Sequence, residues 1–303
     1  MASDAAAAEP NIDPRAALAA LGYPEVTDPQ RVKGGWDTLL WRFATADGRE
    51  HSLRVFSPHL PEEIPSRERI ALETCARAGL PAPRVEAVGE VQGLPAMVLS
   101  WCPGIPILAL VEKQPWTLWR LGRMFGRTQA LMHAVTPPPE FIAAAPDNWV
   151  SRVGDRYADL AAHALSLGLS TSSLIHMDYH PLNVVSDGAA VTGILDWAYA
   201  AAGDPRADLA RTEITILAAP IPPGPLSALL NLARKIILRA WRSGYAEVAG
   251  RVPDYRPLRA WAAATFLGET ELVLDRPGVW ATEETVEKLR RLVDVWAREA
   301  GVR

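Results

Sequence analysis

The apolar residues of this chain change their spacing near Cys102-Pro103-Gly104, and this change constrains the fold more than any other feature. Before this point, residues 39–46 and 51–56 have the length and alternation of strands, and Asp47-Gly48 between them is typical of a hairpin turn. After it, apolar residues recur every three to four positions almost to the C-terminus, as in amphipathic helices. The pattern predicts an α+β protein with a small sheet first and a larger helical part second.

The rest of the first part is predicted to hold one main helix and two more strands. The helix covers residues 68–78 and ends at Gly79, and the strands cover residues 85–91 and 96–101. We therefore predict an antiparallel sheet with a helix packed on it.

Two domains follow from this division of the chain. Residues 1–101 form the small one and residues 102–303 the large helical one. The alanine-rich residues 1–20 are predicted to be a loose, partly helical extension.

Three helices of the second part are clear from their apolar stripes. One covers residues 116–135, one covers 226–242, and one begins after Thr282, whose side chain can cap it. The stripe predicted for the first is Leu121, Met124, Thr128, Leu131 and Val135, and for the last Val286, Leu289, Val293 and Trp296. Short extended runs are predicted only at 174–176, 183–186 and 191–195.

Charge and composition exclude several classes of protein. The formal charge of −4 comes without any basic run, which argues against nucleic acid as a partner. No apolar stretch approaches the ~20 residues of a membrane span, and the N-terminus lacks the positive charge of a secretory signal. Cys75 and Cys102 suit reduced thiols better than a disulfide framework. We expect a soluble cytoplasmic enzyme that binds no membrane; its oligomeric state stays open.

The stretch LIHMDYHPLNVV at residues 174–185 concentrates the polar chemistry of the chain. A polar turn that bonds only to itself is one interpretation of it. Zinc is a second, because His176 and His180 are four apart, as in helical metal sites. Pro181 disfavours the helix that would place both imidazoles on one face.

A third interpretation, phosphoryl transfer, uses more of the residues. Asp178 precedes Asn183 by five positions, and Asp196 follows Asn183 by thirteen at the end of a predicted strand. Phosphoryl transfer needs a carboxylate to accept the proton of the attacking hydroxyl, and hard oxygen ligands for Mg²⁺. Asp178 would be the first, and Asn183 with Asp196 the second.

Together, HMDYHPLN, GILDW and GDPRADLA resemble the aminoglycoside phosphotransferase family, the small-molecule relatives of protein kinases. The resemblance implies a two-lobed, protein-kinase-like fold. It implies that Asp178 is the catalytic base and that Asn183 and Asp196 are the Mg²⁺ ligands. By the same resemblance, His176 supports the loop, His180 lies near the transferred phosphoryl group or the acceptor, and Asp208 braces the loop. Asp204 before Pro205 is typical of a helix N-cap, and an active-site role for Asp204 is the alternative.

In the first part, Arg54 stands where kinases carry their phosphate-binding lysine, and Glu68 stands where its helix partner belongs. An arginine can clamp phosphate, although its planar fork reaches differently from a lysine. An arginine on the surface of an edge strand is the alternative. Gly34 and Gly35 match a nucleotide-covering loop only weakly, since paired glycines occur in many turns.

The hinge between the two parts is predicted at Ser100-Trp101-Cys102. The resemblance implies that the carbonyl of Ser100 and the amide of Cys102 bind the purine of ATP or GTP. Trp197 is expected to serve packing.

The acceptor is less defined than the donor. From Asp204 to the C-terminus there are 13 acidic and 15 basic residues, which argues mildly against a polycationic aminoglycoside. Tryptophans at positions 241, 261, 280 and 296 suit either the core or a cleft for a bulkier acceptor such as a macrolide, and core is favoured. Phosphorylation of a metabolite, a non-catalytic nucleotide-binding module and a metal-dependent hydrolase using His176, Asp178 and His180 stay as alternatives.

Overall fold

The computed structural model describes residues 10–32, 38–144, 149–274 and 281–302. In this part of the chain, the N-terminal sheet is five-stranded and antiparallel, in the order β1-β2-β3-β5-β4. Its strands are β1 (Gln30–Arg31), β2 (Thr38–Ala44), β3 (Glu50–Phe56), β4 (Val85–Val91) and β5 (Leu94–Ser100). β3 is therefore a central strand, paired on both sides, and the alternative of an edge-strand arginine at Arg54 is wrong.

The extension predicted to be loose and partly helical contains a helix that packs on the sheet. This helix, α1 (Pro14–Ala20), begins with Asp13 as its N-cap and a proline at its first position. Ala17 and Leu18 are buried in the cluster that covers one face of the sheet. Burial of this apolar side stabilises a helix too short to persist alone.

The main helix of this part, α2 (Glu63–Arg77), begins five residues before the predicted start at Glu68. Pro65 lies in its first turn, where a backbone N–H has no partner inside the helix, so the proline costs little there. Ile70, Leu72 and Cys75 are buried and join the main core of the protein.

The second part of the chain is mostly helical, as predicted. Its helices are α3 (Ile107–Lys113), α4 (Leu118–His133), α5 (Pro139–Ala144), α6 (Ala158–Ser166), α7 (Pro205–Ala218), α8 (Ser227–Ala249), α9 (Arg259–Val273) and α10 (Glu283–Glu299). Its short strands are β6 (Ile105–Pro106), β7 (Ser173–Ile175), β8 (Val184–Ser186), β9 (Val191–Ile194) and β10 (Ala201–Gly203). Single 3-10 turns lie at Trp149–Val153, Asp155–Tyr157, Pro115–Thr117 and Arg256–Leu258. The predicted extended runs thus correspond to β7, β8 and β9.

Close packing of α4 on α8 forms the centre of this part. A Cβ added to Gly126 of α4 would lie 1.9 Å from the carbonyl oxygen of Trp241 in α8, so only glycine allows the two backbones to approach this far. The stripe predicted for α4 is wrong at Leu131, which is 50% exposed, because the buried line runs through Leu121, Phe125 and Gln129 instead.

The C-terminal helix α10 follows its prediction. Thr282 caps it by accepting a hydrogen bond from the amide of Thr285, and Val286, Leu289 and Val293 are buried. Within the described residues, no helix combines the length and the apolar character needed to cross a bilayer.

Candidate active site

The β8–β9 hairpin brings two of the predicted ligands to one end of a strand pair. Val184 pairs with Ile194, and the amide of Leu195 donates to the carbonyl oxygen of Asn183 at 2.8 Å. Asp196 follows directly, with a backbone φ of 62°. This left-handed conformation is costly for a residue with a Cβ, and such strain is concentrated at functional positions.

Asn183 is held by Asp178. Its side-chain Nδ2 donates to the carboxylate Oδ2 of Asp178 at 2.9 Å and to the backbone oxygen of Asp178 at 3.1 Å. Because the carboxylate accepts only, these bonds fix the amide orientation and leave Oδ1 of Asn183 to face another group. A hard cation such as Mg²⁺ binds this type of oxygen.

Asp178 and His180 form a partly exposed polar pair on the 176–183 loop. Nε2 of His180 lies 3.4 Å from Oδ2 of Asp178, and both side chains are about one-fifth exposed, at 22% and 21%. Burial alone would raise the pKa of Asp178, but the charge of His180 and its hydrogen bond lower that pKa below its usual range. Burial lowers the pKa of His180, and Asp178 more than offsets this and raises it. The carboxylate is therefore ionised near neutral pH.

His176 supports the loop from below. It is fully buried, its Nε2 donates to the carbonyl oxygen of Leu195 at 2.9 Å, and its Nδ1 accepts from the amide of Asp178 at 3.3 Å. Burial lowers the pKa of His176, which favours the neutral ring that these two bonds require. Its ring packs against Trp197, also fully buried, whose Nε1 donates to the carbonyl oxygen of Ile194. Both residues fix backbone rather than contact a ligand.

Helix α7 holds the loop from the other side. The buried carboxylate of Asp208 accepts from the amide of Met177 at 2.5 Å, and Arg211 Nε donates to the carbonyl oxygen of Met177 at 3.0 Å. One turn on, Thr212 Oγ1 donates to the carbonyl oxygen of Tyr179 at 3.0 Å. The backbone φ of Met177 is 69°, so these bonds hold a strained residue next to Asp178.

Asp208 is as buried as expected for a brace, but sequence reasoning missed Arg211 and Thr212. Their signal was the spacing of three polar residues at i, i+3 and i+4 on a helix otherwise rich in buried residues. Asp204 caps this helix as predicted, accepting from the amide of Arg206 at 2.8 Å.

Arg54 reaches across from the N-terminal sheet. Its Nη1 lies 2.5 Å from Oε1 of Glu68 on α2, and its Nη2 lies 3.6 Å from Oδ1 of Asp196. Burial raises the pKa of Glu68 to about 7, and the nearby charge of Asp196 also raises it, while Arg54 lowers it. The structure thus brings Arg54, Glu68 and Asp196 together, although they come from three different elements.

The two predicted hinge residues lie at the end of β5. The hydroxyl of Ser100 accepts from the amide of Arg84 at 2.8 Å, which anchors the end of the strand. A Cβ on Gly193 of β9 would lie 2.5 Å from the sulfur of Cys102, so the Cys102 side chain packs directly on the Gly193 backbone. Gly34 and Gly35, the weak nucleotide-loop match, lie outside the described residues.

The alternatives based on a transition metal find little support in the described residues. No group of three or more His, Cys, Asp or Glu side chains is placed there to hold a metal ion. His176, which both the zinc and the hydrolase interpretations need, donates its Nε2 proton to a backbone carbonyl. An amide and a carboxylate oxygen, completed by phosphates and water, suit Mg²⁺ instead.

Two of the four tryptophans considered for the acceptor cleft belong to the core. Trp241 and Trp261 are 0% and 1% exposed, as favoured from their helical spacing. Trp296 is partly buried against the same core, and Trp280 lies outside the described residues.

A model of the phosphotransferase enzyme family, APH, matches residues 28–261, which is most of the chain. The chain belongs to this family. No curated protein matches it in sequence.

Solved structures of phosphotransferases share the fold at low sequence identity. An amicoumacin kinase, hAmiN, in complex with AMP-PNP, Ca²⁺ and Ami aligns with a TM-score of 0.63 at 10% identity, covering 95% of this chain and 94% of that one. A fructosamine-3-kinase assigned in Thermobifida fusca gives 0.57 at 19% identity, with 93% and 98% covered. The macrolide 2'-phosphotransferase MphH from Brachybacterium faecium gives 0.55 at 19%, with 92% and 97% covered. The predicted two-lobed kinase-like fold is confirmed.

Proposed function

We propose that this phosphotransferase moves the γ-phosphoryl group of ATP or GTP to a hydroxyl of a small molecule, with Asp178 as the catalytic base. One observation carries the proposal. Asp196 lies beside both the Asp178–Asn183 pair and the Arg54–Glu68 pair, next to Asn183 along the hairpin and 3.6 Å from Arg54.

Asp178 has the environment of a base. Its carboxylate is ionised and about one-fifth exposed, and it is fixed by bonds from Asn183 and His180. The attacking hydroxyl would give its proton to this carboxylate while its oxygen bonds to the γ-phosphorus and the bridging oxygen leaves with the nucleoside diphosphate. His180, beside the base, would act on the acceptor or on the transferred group.

Asn183 and Asp196 would hold Mg²⁺. When bound, the ion neutralises charge on the phosphate oxygens. The free Oδ1 of Asn183 and the carboxylate of Asp196, 42% exposed, are oxygen donors of the right chemistry, at neighbouring positions of the hairpin.

Arg54 would clamp the phosphates in place of the usual lysine. The Nη1 of Arg54 is bound to Glu68, which orients the guanidinium group. Only 14% of the Arg54 side chain is exposed, which suits a group that meets its ligand away from bulk solvent. The backbone groups of Ser100 and Cys102 would form hydrogen bonds with the purine. They lie at the end of β5, where the Cys102 side chain packs on Gly193.

The acceptor class is divided between two outcomes, an antibiotic and a metabolite. Structures of the fold include proteins described as acting on macrolides and aminoglycosides and one described as a fructosamine kinase. Identities of 10% to 19% carry the fold to this chain but not the acceptor. A nucleotide-consumption screen over aminoglycosides, macrolides, sugars, amino alcohols and homoserine separates the two.

Substitution of the base tests the chemistry. Asp178→Ala should lower kcat on the acceptor found by the screen about 10²- to 10⁴-fold with little change in nucleotide affinity. Asp187→Ala, at an exposed turn of the β8–β9 hairpin, is the matched control and should keep full activity. Full activity of Asp178→Ala would refute the assignment. A wild-type protein that binds neither ATP nor GTP in the presence of Mg²⁺ would refute the proposed function itself.

A further inference from the structure

Three guanidinium groups surround the segment that follows Asp196. Arg67 of α2 donates Nη2 to the carbonyl oxygen of Ala198 at 3.1 Å, and Arg152 donates Nη1 to the next carbonyl, that of Tyr199, at 3.2 Å. The Arg152 guanidinium also lies over the ring of Tyr199, 4.9 Å from its centroid. Arg211 completes the set from α7. We call Arg67, Arg152 and Arg211 the arginine cluster.

The positive charge of the arginine cluster is only partly compensated. Arg211 pairs with Glu269 of α9 at 2.6 Å. Among the residues that the structure describes, neither Arg67 nor Arg152 forms a salt bridge; the carboxylate that acts most on Arg67 is the exposed Glu63 of its own helix.

Burial, followed by the charges of Arg67 and Arg211, lowers the pKa of Arg152 to about 10 in all, while Glu269 opposes them. Among the described residues, no carboxylate pairs directly with Arg152 to supply the counter-charge that a partly buried guanidinium requires.

Two donors of the arginine cluster also lack hydrogen-bond partners. Nε of Arg67 and Nη1 of Arg211 are buried without an acceptor, and these side chains are 3% and 2% exposed. Unpaired buried donors are rare in native proteins and are commonly met by a ligand or by water. The cluster thus has free donors as well as excess charge, both of which an oxyanion would satisfy.

The arginine cluster adjoins the proposed base. Arg211 Nε bonds to the carbonyl oxygen of Met177, the residue before Asp178, and the charges of Arg211 and Asp178 act on each other. Arg152 is partly exposed, on the 149–153 turn that packs against α9 through Trp149 and Trp261. Arg211 is close enough to both Asp178 and Arg152 to interact with their charges, so it lies between the proposed base and Arg152.

We propose that the acceptor carries an oxyanion, a carboxylate or a phosphate, and that Arg152 binds it within the field of Arg67 and Arg211 while the acceptor hydroxyl faces Asp178. This inference rests on the proposed function. A guanidinium binds such groups through two parallel hydrogen bonds, whereas a polycationic aminoglycoside would meet like charge there. Glu269 neutralises only one of the three arginines, Arg211, so the arginine cluster keeps a net positive charge.

The test compares acceptors that differ only in charge. Wild-type protein with Mg²⁺ and ATP is offered glycerate and gluconate beside their neutral amides, and ADP formation gives kcat/KM for each. The same probes are titrated calorimetrically into the protein loaded with Mg²⁺ and AMP-PNP. We expect the charged member of at least one pair to be preferred about 10- to 100-fold in kcat/KM or in affinity, as for loss of a charged hydrogen bond.

The variant Arg152→Met should remove this preference by weakening the charged member alone. Arg156→Met is the matched control, since Arg156 is 58% exposed, pairs with Glu271 and lies in the next turn of the chain. It should change neither member.

Several results would overturn the inference, and the wild-type comparison needs no variant to fold. One is a wild-type protein that prefers no charged acceptor over its amide. A second is an Arg152→Met variant that lowers kcat/KM equally for the charged acceptor and for its amide. A third is inorganic phosphate that binds at Arg152 without displacing the charged hydroxy acid from the protein. The outcome stays distinct from that of the proposed function. ADP formation on a neutral or cationic acceptor that depends on Asp178 would contradict the anionic acceptor and leave the kinase assignment intact.

Discussion

Substitution of Asp208 by asparagine tests how the 176–183 loop is held. The buried carboxylate of Asp208 accepts three hydrogen bonds: Oδ1 from the amide of Met177, and Oδ2 from Gln129 Nε2 at 2.8 Å and His133 Nε2 at 2.9 Å. Asparagine can keep the bond from Met177 through its remaining oxygen. Its NH₂ group then faces two donors in place of the second oxygen.

Only one of these two donors can adapt. His133 can move its proton to Nδ1 and donate it to the hydroxyl of Tyr245, 2.9 Å away, so that Nε2 becomes an acceptor. Gln129 cannot turn over, because its oxygen accepts from Trp241 Nε1 at 2.7 Å and its Nε2 also donates to Thr212. At least one buried donor is therefore left unpaired.

An unpaired buried donor costs about 1–3 kcal/mol, and each lost bond to a charged acceptor about 1.5–3 kcal/mol. Asparagine is neutral, so the variant avoids the free-energy cost of burying a carboxylate charge, and this offsets part of the loss. We expect Asp208→Asn to lower the free energy of unfolding by about 2–4 kcal/mol, a large share of the ~5–15 kcal/mol that folded proteins have. Urea unfolding at pH 7 measures this change in the free energy of unfolding.

Asp254→Asn is the control, because Asp254 is 55% exposed and, among the described residues, forms its salt bridge with Arg256. It should cost about 0.5 kcal/mol or less. If Asp208→Asn unfolds within that same margin of the wild type, the argument from buried donors is wrong.

Three further substitutions test other parts of the structure. Gly126→Ala should destabilise the protein, because the new Cβ would lie 1.9 Å from the carbonyl oxygen of Trp241 and this clash should cost more than the ~1 kcal/mol that alanine adds to helix stability. A variant that urea unfolding shows to be more stable than the wild type would contradict the packing of α4 on α8. Leu18→Ala should cost about 2–5 kcal/mol in the same assay, since Leu18 is fully buried, and a cost near zero would mean that α1 is not docked on the sheet. Arg54→Ala should weaken nucleotide binding and leave the buried carboxylate of Glu68 without its partner, whereas Arg54→Lys should retain part of the nucleotide affinity. If calorimetry gives the same nucleotide affinity for the wild type and both variants, Arg54 does not bind the phosphates.

The features that the sequence predicted well are those recorded locally along the chain. Spacing alone indicated the extended runs that form β8 and β9 and placed Asp196 directly after the second, because strand length and turn residues are local signals. The change from strand to helix periodicity likewise gave the fold class. The cap at Thr282 and the N-cap at Asp204 are short-range signals of the same kind.

The features that it missed depend on contacts between distant segments. The 1.9 Å approach at Gly126 involves the backbone of α8, so no pattern within α4 reveals it, and the prediction that Leu131 faces the core was wrong for the same reason. The short helix α1 is stabilised by the sheet it covers, so its own composition indicated a partly helical segment but not its docking on the sheet.

The arginine cluster is non-local in the same sense. Its members lie on α2, on the 149–153 turn and on α7, and their charges meet only because the chain folds around residues 198 and 199. Composition gave only a slight excess of basic residues after Asp204. The location of that charge required the structure.

The most direct test of the account is whether Asn183 and Asp196 hold one divalent ion together with the nucleotide. Calorimetric titration of AMP-PNP into wild-type protein, with and without Mg²⁺, should show much tighter binding with the ion. Asn183→Ala and Asp196→Ala should each lose most of that enhancement, and Asp187→Ala should keep it. If both variants retain the full effect of Mg²⁺, the two side chains do not share an ion, and the assignment of the site is contradicted.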